Sequence, residues 1–260
     1  MVNLTQKQEN ILSSVKNAIK ILRSFTMDDP QKGVRELASE LGLGKSSVQR
    51  ILATLANEGF VRKNEETNKY QLGLSVVELS SIVLGNIDLH NEALPIIKTL
   101  VSRCNETSHL AVLENLQAVY LCKVESEDSI ELLSHTGLHN HTHCTSSGKL
   151  LLAHAEPFIM DTLLKNGLNK FTENTITDSE VFQNELKTIQ KNGYAVSKGE
   201  LRSEITSISV PVRDYSGKVI AALNVVGPSS RFTNQRIQYL VSELKIAGEL
   251  ISERLGYWKR

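Results

Sequence analysis

GVRELASELGLGKSSVQRILATLANEGF, residues 33–60, decides the fold at the front of the chain. Val34, Leu37, Ala38 and Leu41 recur at i, i+3, i+4 and i+7, and Val48, Ile51, Leu52 and Leu55 repeat that spacing. Each set draws an apolar stripe along one side of a short helix. Gly42 and Gly44 bracket the connection, where a positive φ costs glycine little. Two stripes joined by so tight a turn share one core. The second helix keeps a free outer face of Lys45, Ser46, Ser47, Gln49, Arg50 and Thr54, and Arg35 stands on the first helix. None of these is acidic, and all can hydrogen-bond to phosphate or base edges. That is the pattern of a helix-turn-helix whose second helix enters the major groove of double-stranded DNA.

The flanks extend this module. Val15, Ala18, Ile19, Leu22 and Phe25 form a further helical stripe, with Ser13 or Ser14 as its expected N-cap. FVRKNEETNKYQLG, residues 60–73, reads as a hairpin: Phe60, Val61, Tyr70 and Leu72 supply the strands and NEETN the turn. Arg62, Lys63, Asn68 and Lys69 then line the rim of a wing, where cations suit phosphate contacts that fix register while base contacts specify sequence. Charge agrees with this division. The 260 residues carry no net charge, but residues 1–73 hold 11 Lys and Arg against 8 Asp and Glu, a net +3, and the remainder is net −3.

Residues 74–87, LSVVELSSIVLGNI, are apolar with helical period and read as a linker helix. The texture then changes. A helix is expected at about 89–105, strands at 109–115, 117–125 and 129–136, and a helix at 146–155. A second helix is expected at 178–193, capped by Asp178, and strands at 194–200, 205–214 and 218–227. A long amphipathic helix closes the chain from Thr233, with Ile237, Leu240, Val241, Leu244, Ala247, Leu250 and Ile251 on its apolar side. Antiparallel hairpins flanked by helices make an α+β domain. The expected division is 1–73, 74–87 and 88–260. Three cysteines without a CxxC spacing suit a reducing cytosol. The segment MVNLTQKQEN has no signal-peptide core, and runs such as VIAALNVV fall short of the roughly 20 residues of a membrane helix, so a cytoplasmic protein without membrane contact is expected.

Taken together, the chain resembles the IclR family of bacterial transcription regulators over about residues 12–256. The resemblance is carried by the helix-turn-helix above, by YQLG closing the wing, by HCTSSGKLLLA at 143–153 and by the segment from 204 to 231 ending in DYSGKVIAALNVVGPSSR. It implies an N-terminal winged helix-turn-helix, a linker helix and a C-terminal GAF-like domain that binds a small effector. It implies a DNA-binding regulator, most often a repressor, working as a homodimer or tetramer on a palindromic operator. Carried over position by position, the effector site falls on Ser146, Ser147, Ser197, Ser207 and Asn224. A helix opening near Ser147-Gly148 offers backbone N–H groups that suit a carboxylate. Where some members have an acid and a cysteine in the later strands, this chain has Ser197 and Ser207, and Val226 replaces a second serine.

Other motifs carry less. Ser146-x-x-Lys149 fits a nucleophile pattern, but no SDN or KTG partner is present, so an enzyme is not expected. Gly148-Lys149 is followed by Leu150, which fails a phosphate loop, and no cofactor is expected. Lys149 is expected on the solvated side of its helix. His139, His141 and His143 share one side of an extended segment, a spacing that suits a metal. They have no acidic neighbour and His143 opens the family's helix entry, so no metal is expected. Cys104 and Cys122 are expected as small core residues.

Overall fold

The structure is a computed structural model, and it describes residues 12–26, 28–85, 88–127 and 136–258. The chain divides into two compact units, Met1–Asn86 and Ile87–Arg260. Among the described residues no helix is long and apolar enough to cross a membrane.

The first unit contains α1 (Ser13–Ser24), α2 (Val34–Leu41), α3 (Lys45–Asn57), β1 (Val61–Lys63), β2 (Tyr70–Leu72) and α4 (Leu74–Gly85). Ile21, Phe25, Leu37, Ala38, Val48, Leu52 and Val61 bury together, so the two stripes of the helix-turn-helix do share a core. Gly42 ends α2 at φ 64°, the left-handed conformation that the turn demands. Gly44 differs from expectation: its φ is −65°, and it serves as the N-cap of α3 without any left-handed geometry. At the start of α2, the Glu36 carboxylate accepts the Gly33 N–H at 2.7 Å and satisfies one of the open donors of the first turn. Strands β1 and β2 pair antiparallel, Val61 opposite Leu72, and Lys32 adds a backbone bridge to Tyr70. Two expectations for α1 are corrected. Its N-cap is Leu12, with no side-chain cap, and Val15 and Ile19 are exposed while Ile21 and Ser24 are buried. The inward side of α1 is shifted because Phe25, past the end of the helix, turns in to complete the core.

In the second unit come α5 (Asp88–Cys104), β3 (Thr107–Glu114), β4 (Gln117–Val124), β5 (His139–His141), α6 (Ser146–Ala153) and α7 (Pro157–Asn166). They are followed by α8 (Ser179–Asn192), β6 (Ala195–Lys198), β7 (Ile205–Arg213), β8 (Val219–Pro228) and α9 (Asn234–Arg254). Among the described residues the strands form one antiparallel sheet in the order β5-β4-β3-β8-β7-β6. Side chains alternate across it. Leu110, Cys122, Ile208, Val210, Leu223 and Val225 face α5 and α9, and Ala111, Ala118, Tyr120, Ala195 and Ala222 face α6, α7 and α8. Asp178 caps α8 and Thr233 caps α9 as their positions imply, but Leu250 of α9 is exposed. α7 has no counterpart among the expected elements, and the strand expected at 129–136 lies almost wholly outside the described residues.

Candidate functional site

The first candidate site is the outer side of α3 and the wing. Lys45, Ser46, Ser47, Gln49 and Arg50 are all exposed, as is Arg35 on α2. The first turn of α3 holds no acidic residue, and its Gly44 cap contributes no side chain, so its N–H groups face outward at the positive end of the helix dipole. On the wing Arg62 is exposed, whereas Lys63 pairs with Glu65 and Lys69 with Glu36, each at 3.0 Å. The Gly33 N–H holds the Glu36 carboxyl below its usual range, with Lys69 adding to the effect. Lys69 thus fastens the hairpin to α2. Asn64 shapes the tip by accepting the N–H groups of Glu66 and Thr67.

The second candidate site lies in the second unit, where two cross-strand rows share one face of the sheet. Ser197, Ser207 and Val226 stand side by side in the first row. Two residues along, Ala195, Ser209, Asn224 and His109 form the second. A half-open cavity of about 90 Å³ sits over the first row, with Ser197, Ser207, Asn140, Thr145, His109 and Arg202 as its polar walls. Its apolar walls are Leu138, Cys144, Leu201, Ile205 and Val226. It is small beside the roughly 300–1,000 Å³ of drug-sized ligand sites.

Of the expected effector residues, Ser197 and Ser207 line this cavity. Ser146, Ser147 and Asn224 do not. They belong to a closed network behind it: Ser209 Oγ meets Ser146 Oγ at 2.7 Å and Ser147 Oγ at 3.2 Å, and Asn224 Nδ2 donates to Ser147 Oγ at 2.8 Å. Asn224 Oδ1 accepts from the backbone N–H of His109 at 3.0 Å and lies 3.1 Å from its Nδ1, which fixes the proton on Nδ1. The His109 ring stacks on Tyr120 with centroids 4.2 Å apart, and burial pushes its pKa down to about 4. His109 is neutral at pH 7. The network fastens the first turn of α6 to the middle of the sheet. Gly148 lets the helix sit against the segment that enters it, because a Cβ there would overlap the Thr142 backbone.

Lys149 overturns its expectation. It is 1% exposed, and its Nζ meets Glu200 at 2.7 Å and Glu185 at 3.1 Å. The short helix is covered by the sheet on one side and by α8 on the other, so every residue of α6 is buried and no solvated side exists. Burial pushes the Glu200 carboxyl up, against the pull of Lys149. Ser197 Oγ donates to the Cys144 carbonyl at 3.0 Å, tying β6 to the segment that enters α6.

Among the described residues no cluster of three or more metal-ligating side chains is found. His143 Nε2 donates to the Asn169 carbonyl at 2.8 Å, His139 meets Gln117, and His141 packs on Phe171. Cys104 and Cys122 are buried in the core as expected. Burial also pushes the Cys144 thiol up to about 12, which makes it inert as a nucleophile. Sequence reasoning missed His109, Asn140, Thr145 and Arg202. Strand alternation from Asn224 across to β3 signals His109, and Thr145 is the helix cap. For Asn140 and Arg202, only the folded loops bring them to the cavity.

A helix-turn-helix with an open groove-reading side, joined to an α+β unit with a walled cavity, defines the class of DNA-binding regulators that respond to small molecules. Two family descriptions match: "IclR helix-turn-helix domain" over residues 14–65 and "Bacterial transcriptional regulator IclR C-terminal" over residues 81–253. The chain belongs to the IclR family of transcription regulators, which are not enzymes. It is 32% identical over 252 residues to the transcriptional regulator KdgR of Escherichia coli, covering 96% of this chain and 95% of that protein. The transcriptional repressor AllR of Escherichia coli is 27% identical over 244 residues, 94% of this chain and 90% of that protein. Among solved structures, an IclR homolog from Microbacterium hydrocarbonoxydans complexed with 4-hydroxybenzoate superposes with a TM-score of 0.85 at 26% identity, covering 94% and 99% of the two chains.

Proposed function

We propose that this regulator is a cytoplasmic repressor that binds a palindromic operator as a dimer, or a pair of dimers, and is modulated by a small carboxylate metabolite. The observation that carries the reading is the pairing, in one chain, of an open cation-bearing α3 with a cavity of mixed polar and apolar walls. Ser46, Ser47, Gln49 and Arg50 read base edges in the groove, and Lys45 and Arg35 hold its margins. Arg62, Lys63 and Lys69 neutralise phosphate, the last two by exchanging Glu65 and Glu36 for DNA. In the cavity Ser197 and Ser207 meet the ligand directly, and Ser146, Ser147 and Asn224 hold the wall behind it.

Repression is supported by the likeness to a named repressor, and a carboxylate effector by the 4-hydroxybenzoate of the structural relative. A dimer is supported by apolar side chains left in water: Leu12, Val15 and Ile19 at one side of α1, and Leu74, Val77 and Leu79 on α4. Two-fold pairing would set the recognition helices about 34 Å apart on one side of the duplex. We take 1–73 as the DNA-binding domain, 74–87 as the linker helix and 88–260 as the effector domain. The effector acts through the linker helix, and only to the extent that its affinity differs between dimer geometries. The test is a mobility shift on the DNA upstream of the protein's own gene, at physiological salt with competitor. A specific complex that a carboxylate dissociates is expected, and failure of the protein to retain any duplex under these conditions would sink the reading.

A further inference from the structure

The segment joining β6 to β7, residues 199–204, is held at several points. The Gly199 N–H donates to the Ile205 carbonyl at 2.8 Å, and the Ser229 N–H to the Glu204 carbonyl at 2.7 Å. Thr172 Oγ1 donates to the Gly199 carbonyl and Thr175 Oγ1 to the Glu200 carbonyl, both at 2.6 Å. From below, buried Lys149 grips the Glu200 side chain. The next two residues of this fixed segment, Leu201 and Arg202, form part of the cavity wall. Arg202 is exposed and has no carboxylate partner among the described residues, although the chain is rich in acidic groups. Among the described lining residues no other carries a charge at pH 7.

We propose that Arg202 selects the effector's charge: its guanidinium takes the carboxylate of a small acid, while Ser207 and Asn140 take the neutral oxygens of the same molecule and Ser197, whose hydroxyl donates to the Cys144 carbonyl, shapes the wall beside them. This deepens the reading of the cavity as the effector site, and rests on it. A guanidinium presents paired N–H donors that match a carboxylate. The Arg202 carbonyl accepts the Ile205 N–H at 3.0 Å, so the backbone is held and the ordering left on binding is that of the side chain. Lys149 and Glu200 are positioning residues, since they hold the segment without reaching the ligand. The family's expected anion site at the opening of α6 is the rival location. There Thr145 already occupies the Gly148 N–H, and the Ser146 and Ser147 hydroxyls are engaged with Ser209.

The test uses the full chain and titration calorimetry with glycolate, pyruvate, gluconate and 4-hydroxybenzoate, each beside its primary amide. Wild type, Arg202→Gln and Arg202→Lys are compared. Arg202 is exposed, so these variants fold. The expected result is that at least one acid binds and its amide does not, and that Arg202→Gln weakens that acid by about tenfold or more. Arg202→Lys is expected to fall between, because the charge remains and the fork is lost. Duplex binding without the acid should be the same in all three proteins. If acid and amide bind alike, or Arg202→Gln binds the acid as wild type does, this inference is overturned while the cavity remains the effector site. If neither acids nor amides bind wild type, the cavity reading falls and the inference falls with it.

Discussion

Arg50 stands on the exposed side of α3, in its second turn, a position from which a side chain would meet base edges once the helix lies in the major groove. Replacing it by Ala is expected to cost about 1–3 kcal/mol of specific binding, read as the ratio of affinities for operator and random duplex. Lys63→Ala acts differently: it should weaken both duplexes together and reduce the slope of log affinity against log salt by about one. An unchanged slope would mean that Lys63 keeps its partner Glu65 in the complex. His109 makes a prediction of another kind. Its folded pKa of about 4 lies below the ordinary 6.5, so the unfolded chain binds the proton first. The stability it withholds from acid is intact above about pH 6.5 and is lost as pH falls towards 4, in total about 3 kcal/mol. His143 and His154 are also pushed down by burial and add to the loss. The unfolding free energy from urea titration should therefore fall by about 2 kcal/mol less for His109→Gln than for wild type between pH 7.5 and 5. Equal losses would place the titration elsewhere.

At the scale of elements, α6 is where the sequence was least legible. Its pattern SSGKLLLA signals a helix, and the helix is there. What periodicity does not reveal is that α8 covers the side of α6 turned away from the sheet, so a lysine in the first turn is buried against two carboxylates. The same limit applies to the serines. Ser146 and Ser147 look like ligand donors because hydroxyls at a helix opening resemble an anion site, yet Ser209, two places along β7 from Ser207, absorbs both. Segments whose period matches one face and one solvent were read well: the helix-turn-helix, the wing, α8 and its Asp178 cap, and the β7–β8 hairpin. Val15 and Ile19 were misplaced because they share a stripe with residues of the core but look outward. The buried pair gives a stability prediction. Lys149→Met strands Glu200 in the interior and should cost about 3–5 kcal/mol, whereas Lys149→Met with Glu200→Leu should recover most of it, since an apolar pair leaves no uncompensated charge. Chemical denaturation of the two variants decides it. A double variant as unstable as the single one would show that the carboxylate was not the source of the loss.

For the whole molecule, the proposed dimer has a test in the exposed side of α4. Leu74 and Val77 are 83% and 62% exposed, more than a lone helix in water has reason to display. Leu74→Glu with Val77→Glu should sediment as a monomer and lose about 100-fold or more in operator affinity, because two linked contacts become one. A dimer of unchanged affinity would exclude this face. The sheet order has a consequence in time. The first unit closes its core from neighbouring helices, but in the second unit His109 of β3 waits for Asn224 of β8, 115 residues further along the chain. At roughly 5–20 residues per second of synthesis, that is an interval of about 6–23 seconds. Each nascent chain therefore passes through a stage in which the DNA reader is already shaped and the sensor has no central strand. During that interval the first unit has all the residues of its own core, while the second still lacks the strand that joins its two halves.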